Sequence, residues 1–115
     1  MIPNRIRISE PSTARLKYLK SKTGLTPNIL ARFAFALSVR DARPMVALDA
    51  ALDGQEFNAP TLFGEHQRVY ELLLIRYLQK TEDDRAAGTI IAHHIDVGLH
   101  KMGHIRSLGD LASLQ

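Results

Sequence analysis

Six cations stand in the first twenty-two residues: Arg5, Arg7, Arg15, Lys17, Lys20 and Lys22, against the single acid Glu10. Side chains of this type, without a nucleophile or metal ligand among them, have one obvious chemistry. They neutralise phosphate oxygens and release the counterions held on a polyanion. The excess runs on to residue 43, where nine Lys or Arg face only Glu10 and Asp41, a formal +7. Residues 44–115 carry six basic and ten acidic residues, a formal −4, so the net +3 conceals a dipole. A solvated face that keeps a protein soluble uses the same residues. Six cations to one acid is more than solubility requires, and nucleic-acid contact is the favoured reading.

Two other sets could in principle do chemistry. His93, His100 and His104 fall in one angular sector if a single helix carries them, and His100 and His104 are an i, i+4 pair. No HExxH glutamate and no cysteine accompany them, and Gly103 interrupts the helix before His104, so no metal site is expected. Asp53-Gly54-Gln55-Glu56-Phe57-Asn58, with Glu65 and His66 following, combines carboxylate and imidazole as acid–base catalysis would. A polar turn has the same composition. No P-loop, nucleophile elbow or glycine-rich fingerprint is present.

The elements that must position the cations follow from local pattern. Residues 2–8 alternate, with Ile6 and Ile8 on one face and Arg5 and Arg7 on the other, as in a half-buried strand. Ser9 then offers an N-cap for a helix over 11–23, with Glu10 and Pro11 in its first turn, Leu16 and Leu19 inward, and Gly24 as terminator. On that helix Lys17 and Lys20 lie at i, i+3 on one flank, and Arg15 and Lys22 at i, i+7 on another. Thr26 and Pro27 open a second helix whose run from Ile29 to Leu37 is apolar almost all round. Such a helix belongs in a core or a subunit interface, and here both are expected.

Arg43-Pro44 should break that helix, and residues 39–62 read as mostly loop. An amphipathic helix over 64–80 follows, with Val69, Leu72, Leu73, Ile75 and Leu78 as its apolar set. Glu82-Asp83-Asp84 reads as a solvated turn before a last helix over about 84–102, which carries Ile90, Ile91, Ile95, Val97 and Leu99 inward. Gly88 and Gly98 in that helix suggest close helix contacts. Ile105, Leu108 and Leu111 allow a short amphipathic turn in the tail. Only one strand is convincing, and the simplest partner for it is the same strand of a second subunit about a two-fold axis.

The expected fold class is therefore mainly α: one small helical domain over 1–115, with a short N-terminal strand, a ribbon-helix-helix-like N-terminal unit, and oligomeric assembly. Absent cysteine excludes disulfides, thiolate catalysis and cysteine-ligated clusters in this chain. No window is long and apolar enough for a membrane span, and the N-terminus has no secretory h-region, so a cytoplasmic location is expected. Tyr18 is the lone aromatic near the lysines, which argues for duplex contact through phosphates over a base-stacking single-strand platform.

Pro3-Asn4-Arg5-Ile6-Arg7-Ile8-Ser9, the Thr23-Gly24-Leu25-Thr26-Pro27-Asn28 junction, Asp53 to Asn58 followed by Thr61-Leu62-Phe63-Gly64-Glu65, and His94-Ile95-Asp96-Val97-Gly98-Leu99 together resemble the DNA sulfur modification protein DndE family, in order and at full length. The resemblance implies an accessory protein of DNA phosphorothioation, helical and homo-oligomeric (tetrameric in the family). It implies binding to duplex DNA, nicked duplex included, with Lys17, Lys20 and Lys22 as contacts. Sulfur would be mobilised by other proteins of the modification complex. The expected function is thus a non-catalytic DNA-binding subunit using Arg5, Arg7, Arg15, Lys17, Lys20 and Lys22, with double-stranded DNA and complex proteins as partners and no cofactor. The competing expectations are a protein-interaction scaffold and a metal-dependent DNA-processing enzyme.

Overall fold

The computed structural model describes residues 1–41 and 51–113. In order these form strand β1 (Arg5–Arg7), helices α1 (Glu10–Thr23) and α2 (Pro27–Val39), strand β2 (Glu56–Asn58), helix α3 (Ala59–Phe63), a 3-10 turn (Gly64–His66), and helices α4 (Gln67–Lys80), α5 (Ala87–Lys101) and α6 (Leu108–Ala112). The fold is mainly α, as the sequence pattern indicates. The expected break at Arg43-Pro44 lies outside the described residues.

The helix ends follow from local chemistry. Ser9 caps α1, its hydroxyl accepting from the Ser12 amide at 3.2 Å. Gly24 closes the helix at φ 77°, a left-handed conformation without penalty for glycine, and its N–H reaches the Lys20 carbonyl at 2.8 Å. Thr26 caps α2 and Pro27 occupies its first turn.

The core is built on α2 and α5, whose mutual contact is the largest between any two elements. Leu30, Phe35, Ile90, Ile91 and Ile95 have no solvent exposure, and each such side chain contributes about 1.5–3 kcal/mol on burial. Gly98 makes the crossing possible: a Cβ there would collide with the backbone carbonyl of Ala34. The suggestion of close contact holds at Gly98, whereas Gly88 meets only Pro3 at ordinary distance. Phe35, Phe63 and Tyr70 tie α2, α3 and α4 together, with ring centroids 5.1 to 6.2 Å apart.

Two expectations need correction. The partner of β1 is not a copy of itself. It is β2 of the same chain, antiparallel, with Ile6 opposite Phe57 and Arg7 opposite Glu56. The pairing extends through Ile8 N–H to the Gln55 carbonyl at 3.0 Å and Gly54 N–H to the Ile8 carbonyl at 2.7 Å. Phe57 supplies the reason: it is buried between exposed Glu56 and Asn58, the same in–out alternation as β1. The second correction concerns α4. Its buried residues are Leu74 and Tyr77, while Val69 and Leu72 stay about half exposed. The α2 helix, expected to serve core and interface alike, is committed chiefly to the chain's own core, and Ile29 is its one exposed large apolar residue.

Candidate nucleic-acid interface

Leu16, Leu19, Ser12, Thr13 and Thr23 turn one side of α1 into the domain. Everything else on the helix faces outward, and this places the cations. Lys17, Lys20 and Lys22 are all exposed. The Lys17 and Lys20 ammonium groups make no ion pair and no hydrogen bond among the described residues. Lys22 sits over the Tyr18 ring, 5.5 Å from its centroid. Such cations keep their charge for a ligand.

Arg15 is differently held. Its guanidinium lies 3.5 Å from Asp96 Oδ1 and 3.1 Å from His100 Nδ1. Asp96 is a mostly buried carboxylate on α5 that also accepts from the Ser12 hydroxyl at 2.9 Å. The Ser12–Asp96–Arg15 set therefore fastens α1 to α5, and Arg15 reaches solvent with part of its guanidinium only.

Arg5 and Arg7 point outward from β1, as alternation requires, but neither is free. Arg5 pairs with Glu56 at 3.1 Å, and Arg7 pairs with the same carboxylate at 3.4 Å while donating to the Gly54 carbonyl at 3.0 Å. One acid on β2 thus serves two arginines on β1. The six sequence-predicted cations divide into free lysines on α1, a fastened Arg15, and a paired arginine edge.

One cation on this face was not anticipated. Arg106, just beyond α5, lies with its guanidinium carbon 5.7 Å from the Tyr18 ring centroid and donates to the Gly103 and Ile105 carbonyls. The tail folds back because Ile105 and Leu111 are buried, and α6 packs against α1. The apolar spacing of Ile105, Leu108 and Leu111 was the available signal, but nothing local said which surface would receive it.

The remaining candidate sets serve structure. Asp53 accepts from the Glu10 amide at 3.3 Å, Thr13 accepts from the Gln55 amide at 2.9 Å, and Glu56-Phe57-Asn58 is β2. Glu65 and His66 are exposed and 3.8 Å apart. The three histidines do not converge. His93 contacts Arg85, His100 contacts Arg15 and the Asp96 carbonyl, and His104 lies past the end of α5. Among the described residues no three His, Asp or Glu side chains form a group that could hold a metal ion.

A separate polar cluster occupies the junction of α4 and α5. Asp83 accepts from the Tyr77 hydroxyl at 2.6 Å and from the Arg85 guanidinium at 2.6 and 2.8 Å. The Arg85 hydrogen bond holds the Asp83 carboxyl well below the usual carboxylate range, and Asp83 in turn raises Arg85. Asp83 is therefore not part of a solvated turn. Next to it His94 is buried, with Nδ1 2.6 Å from the Ser38 hydroxyl and its ring edge-on to Tyr77 at 4.5 Å. Burial pushes its pKa down to about 4.

The model of the DNA sulphur modification protein DndE family matches residues 5–109. The chain belongs to the DndE family. It is similar to the crystal structure of DndE from Escherichia coli B7A, involved in DNA phosphorothioation modification: 32% identity, TM-score 0.77, covering 89% of this chain and 98% of that one. It is similar also to the structure of a DndE G21/24K mutant, at 30% identity and TM-score 0.73, covering 89% and 99%. No curated protein matches the chain. The DndE family of the phosphorothioation system is thereby established for this chain. No helix among the described residues is long and apolar enough to cross a membrane.

Proposed function

We propose that this DndE-family chain is a non-catalytic DNA-binding subunit of the phosphorothioation machinery. It holds duplex DNA, nicked duplex included, by its phosphates on the outward side of α1. Lys17 and Lys20 carry most of the contact, with Lys22 and Arg106 beside Tyr18 extending the surface. Arg15 contributes with its exposed part, and Arg5 and Arg7 act more weakly because both are engaged by Glu56, whose single charge offsets one of their two. The observation that supports this most is that the Lys17 and Lys20 ammonium groups have no protein partner among the described residues. Cations left unpaired at such density are available to a polyanion outside the chain.

The protein takes no cofactor of its own and works in the cytoplasm with the other proteins of the complex. It assembles as a homo-oligomer, a tetramer by analogy with its family, which multiplies the basic surface. Ile29, Val69 and Leu72 are exposed apolar residues available to such contacts or to a partner protein. That apolar surface is also what favours the scaffold as a second reading.

A mobility-shift titration at near-physiological salt separates the two. Binding of a plain duplex at micromolar protein or below is the expected result, and no complex there would favour the scaffold. Supercoiled plasmid incubated with the protein and divalent metal should stay intact. Nicking abolished by Glu65→Ala or His100→Ala would make the chain an enzyme.

A further inference from the structure

Between α1 and the C-terminal end of α5 lies a partly open cavity of about 160 Å³, lined on the α1 side by Arg15, Tyr18 and Leu19. We propose that this pocket receives one unpaired nucleobase of the DNA held on α1, a proposal that rests on the DNA-binding reading above. Leu19, Leu99, Met102 and Ile105 make the apolar lining, and the last three have almost no exposure of their own. Tyr18 forms a wall and Arg15 stands at the mouth.

Size and charge select the occupant. An apolar cavity of about 150 Å³ in another protein holds a benzene molecule, so the space here suits a single planar ring and is too small for most metabolites. Arg15 is in the lining, and two more cations, Lys22 and Arg106, lie 5.5 and 5.7 Å from the centroid of the Tyr18 ring that forms one wall. Asp96 and Asp110 are both engaged within the chain, Asp96 by Ser12 and Arg15, and Asp110 by the Arg106 amide. A ring with apolar faces, tethered to an anion outside, satisfies both lining and rim, and a nucleobase on its sugar-phosphate is such a group. A single aromatic wall takes one base and cannot form a stacking track, so duplex remains the substrate.

Removing a base from a stack costs least where pairing is already broken. The pocket therefore predicts preference for duplex with an unpaired base. Two duplexes with the same number of base pairs, one fully paired and one with a single bulged 5-iodouracil, are titrated with the full chain by fluorescence anisotropy and then irradiated. The bulged duplex should bind about tenfold tighter, the worth of stacking one base. The photo-crosslink should map to Tyr18 or Met102. Tyr18→Phe should keep the preference and Tyr18→Ala should make the two duplexes equal. Equal binding by wild type, or a crosslink elsewhere in the chain, would overturn the pocket while leaving phosphate contact standing. Failure to bind either duplex would remove both.

Discussion

The outward face of α1 and the junction of α4 and α5 both concentrate charge, and they use it in opposite ways. On α1, Lys17 and Lys20 face water with no partner among the described residues. At the junction, Asp83 is closed in by Arg85 and Tyr77, and His94 is buried beside them without a charge. Charge satisfied inside the chain stabilises the fold and is indifferent to salt, whereas charge left over is available for a ligand and is screened by salt. The β1–β2 edge lies between these extremes, with two arginines on one glutamate.

The comparison predicts a double dissociation. Its largest effect is on stability against pH. His94 has a folded pKa of about 4 against an ordinary 6.5, so between those values the unfolded chain binds a proton that the folded chain does not. Stability should therefore fall by about 3 kcal/mol as pH drops from 6.5 to 4, and level off below that, as urea titrations across the range would show. Asp83 contributes in a lower window, losing its share only as pH falls through and below 3.8. A flat stability profile between pH 6.5 and 4 would mean that His94 is not held neutral.

Next in size is Asp83→Ala, which leaves the Arg85 guanidinium and the Tyr77 hydroxyl without their acceptor. The expected cost is about 2 kcal/mol by denaturant unfolding, with no change in how DNA affinity depends on salt. A change in that salt dependence would erase the distinction between the two regions. The smallest effect belongs to the β edge. Glu56→Gln frees Arg5 and Arg7 and should steepen the log–log salt slope of DNA binding by at most about 2, with stability altered by less than about 1 kcal/mol. An unchanged slope would place the strand arginines away from DNA altogether.

What was legible in the sequence was what local chemistry decides. Ser9, Gly24, Thr26 and Pro27 set the ends of α1 and α2 within a few residues of themselves, and those ends stand where the pattern puts them. The outward position of Lys17, Lys20 and Lys22 needs only the inward position of Leu16 and Leu19. Pairings across about fifty residues were not legible. Three residues of β2 are too short for a periodic signal, and Glu56 reads as a turn acid until the strand brings it to Arg5 and Arg7. In α4 the apolar residues cover most of the circumference, so spacing did not reveal that Leu74 and Tyr77 would be buried ahead of Val69 and Leu72. Asp83 resembled its acidic neighbours, and the three-dimensional approach of Arg85 and Tyr77 distinguishes it.

The most direct test is the salt dependence of duplex binding by wild type and by the Lys17→Ala/Lys20→Ala/Lys22→Ala variant, measured beside their unfolding curves. Three lost phosphate contacts should lower the log–log slope by about 3. Between 50 and 200 mM salt, wild type should then lose roughly sixtyfold more affinity than the variant, with unfolding unchanged to within about 0.5 kcal/mol. A variant that kept the wild-type slope and affinity would contradict the assignment of α1 as the DNA-binding face.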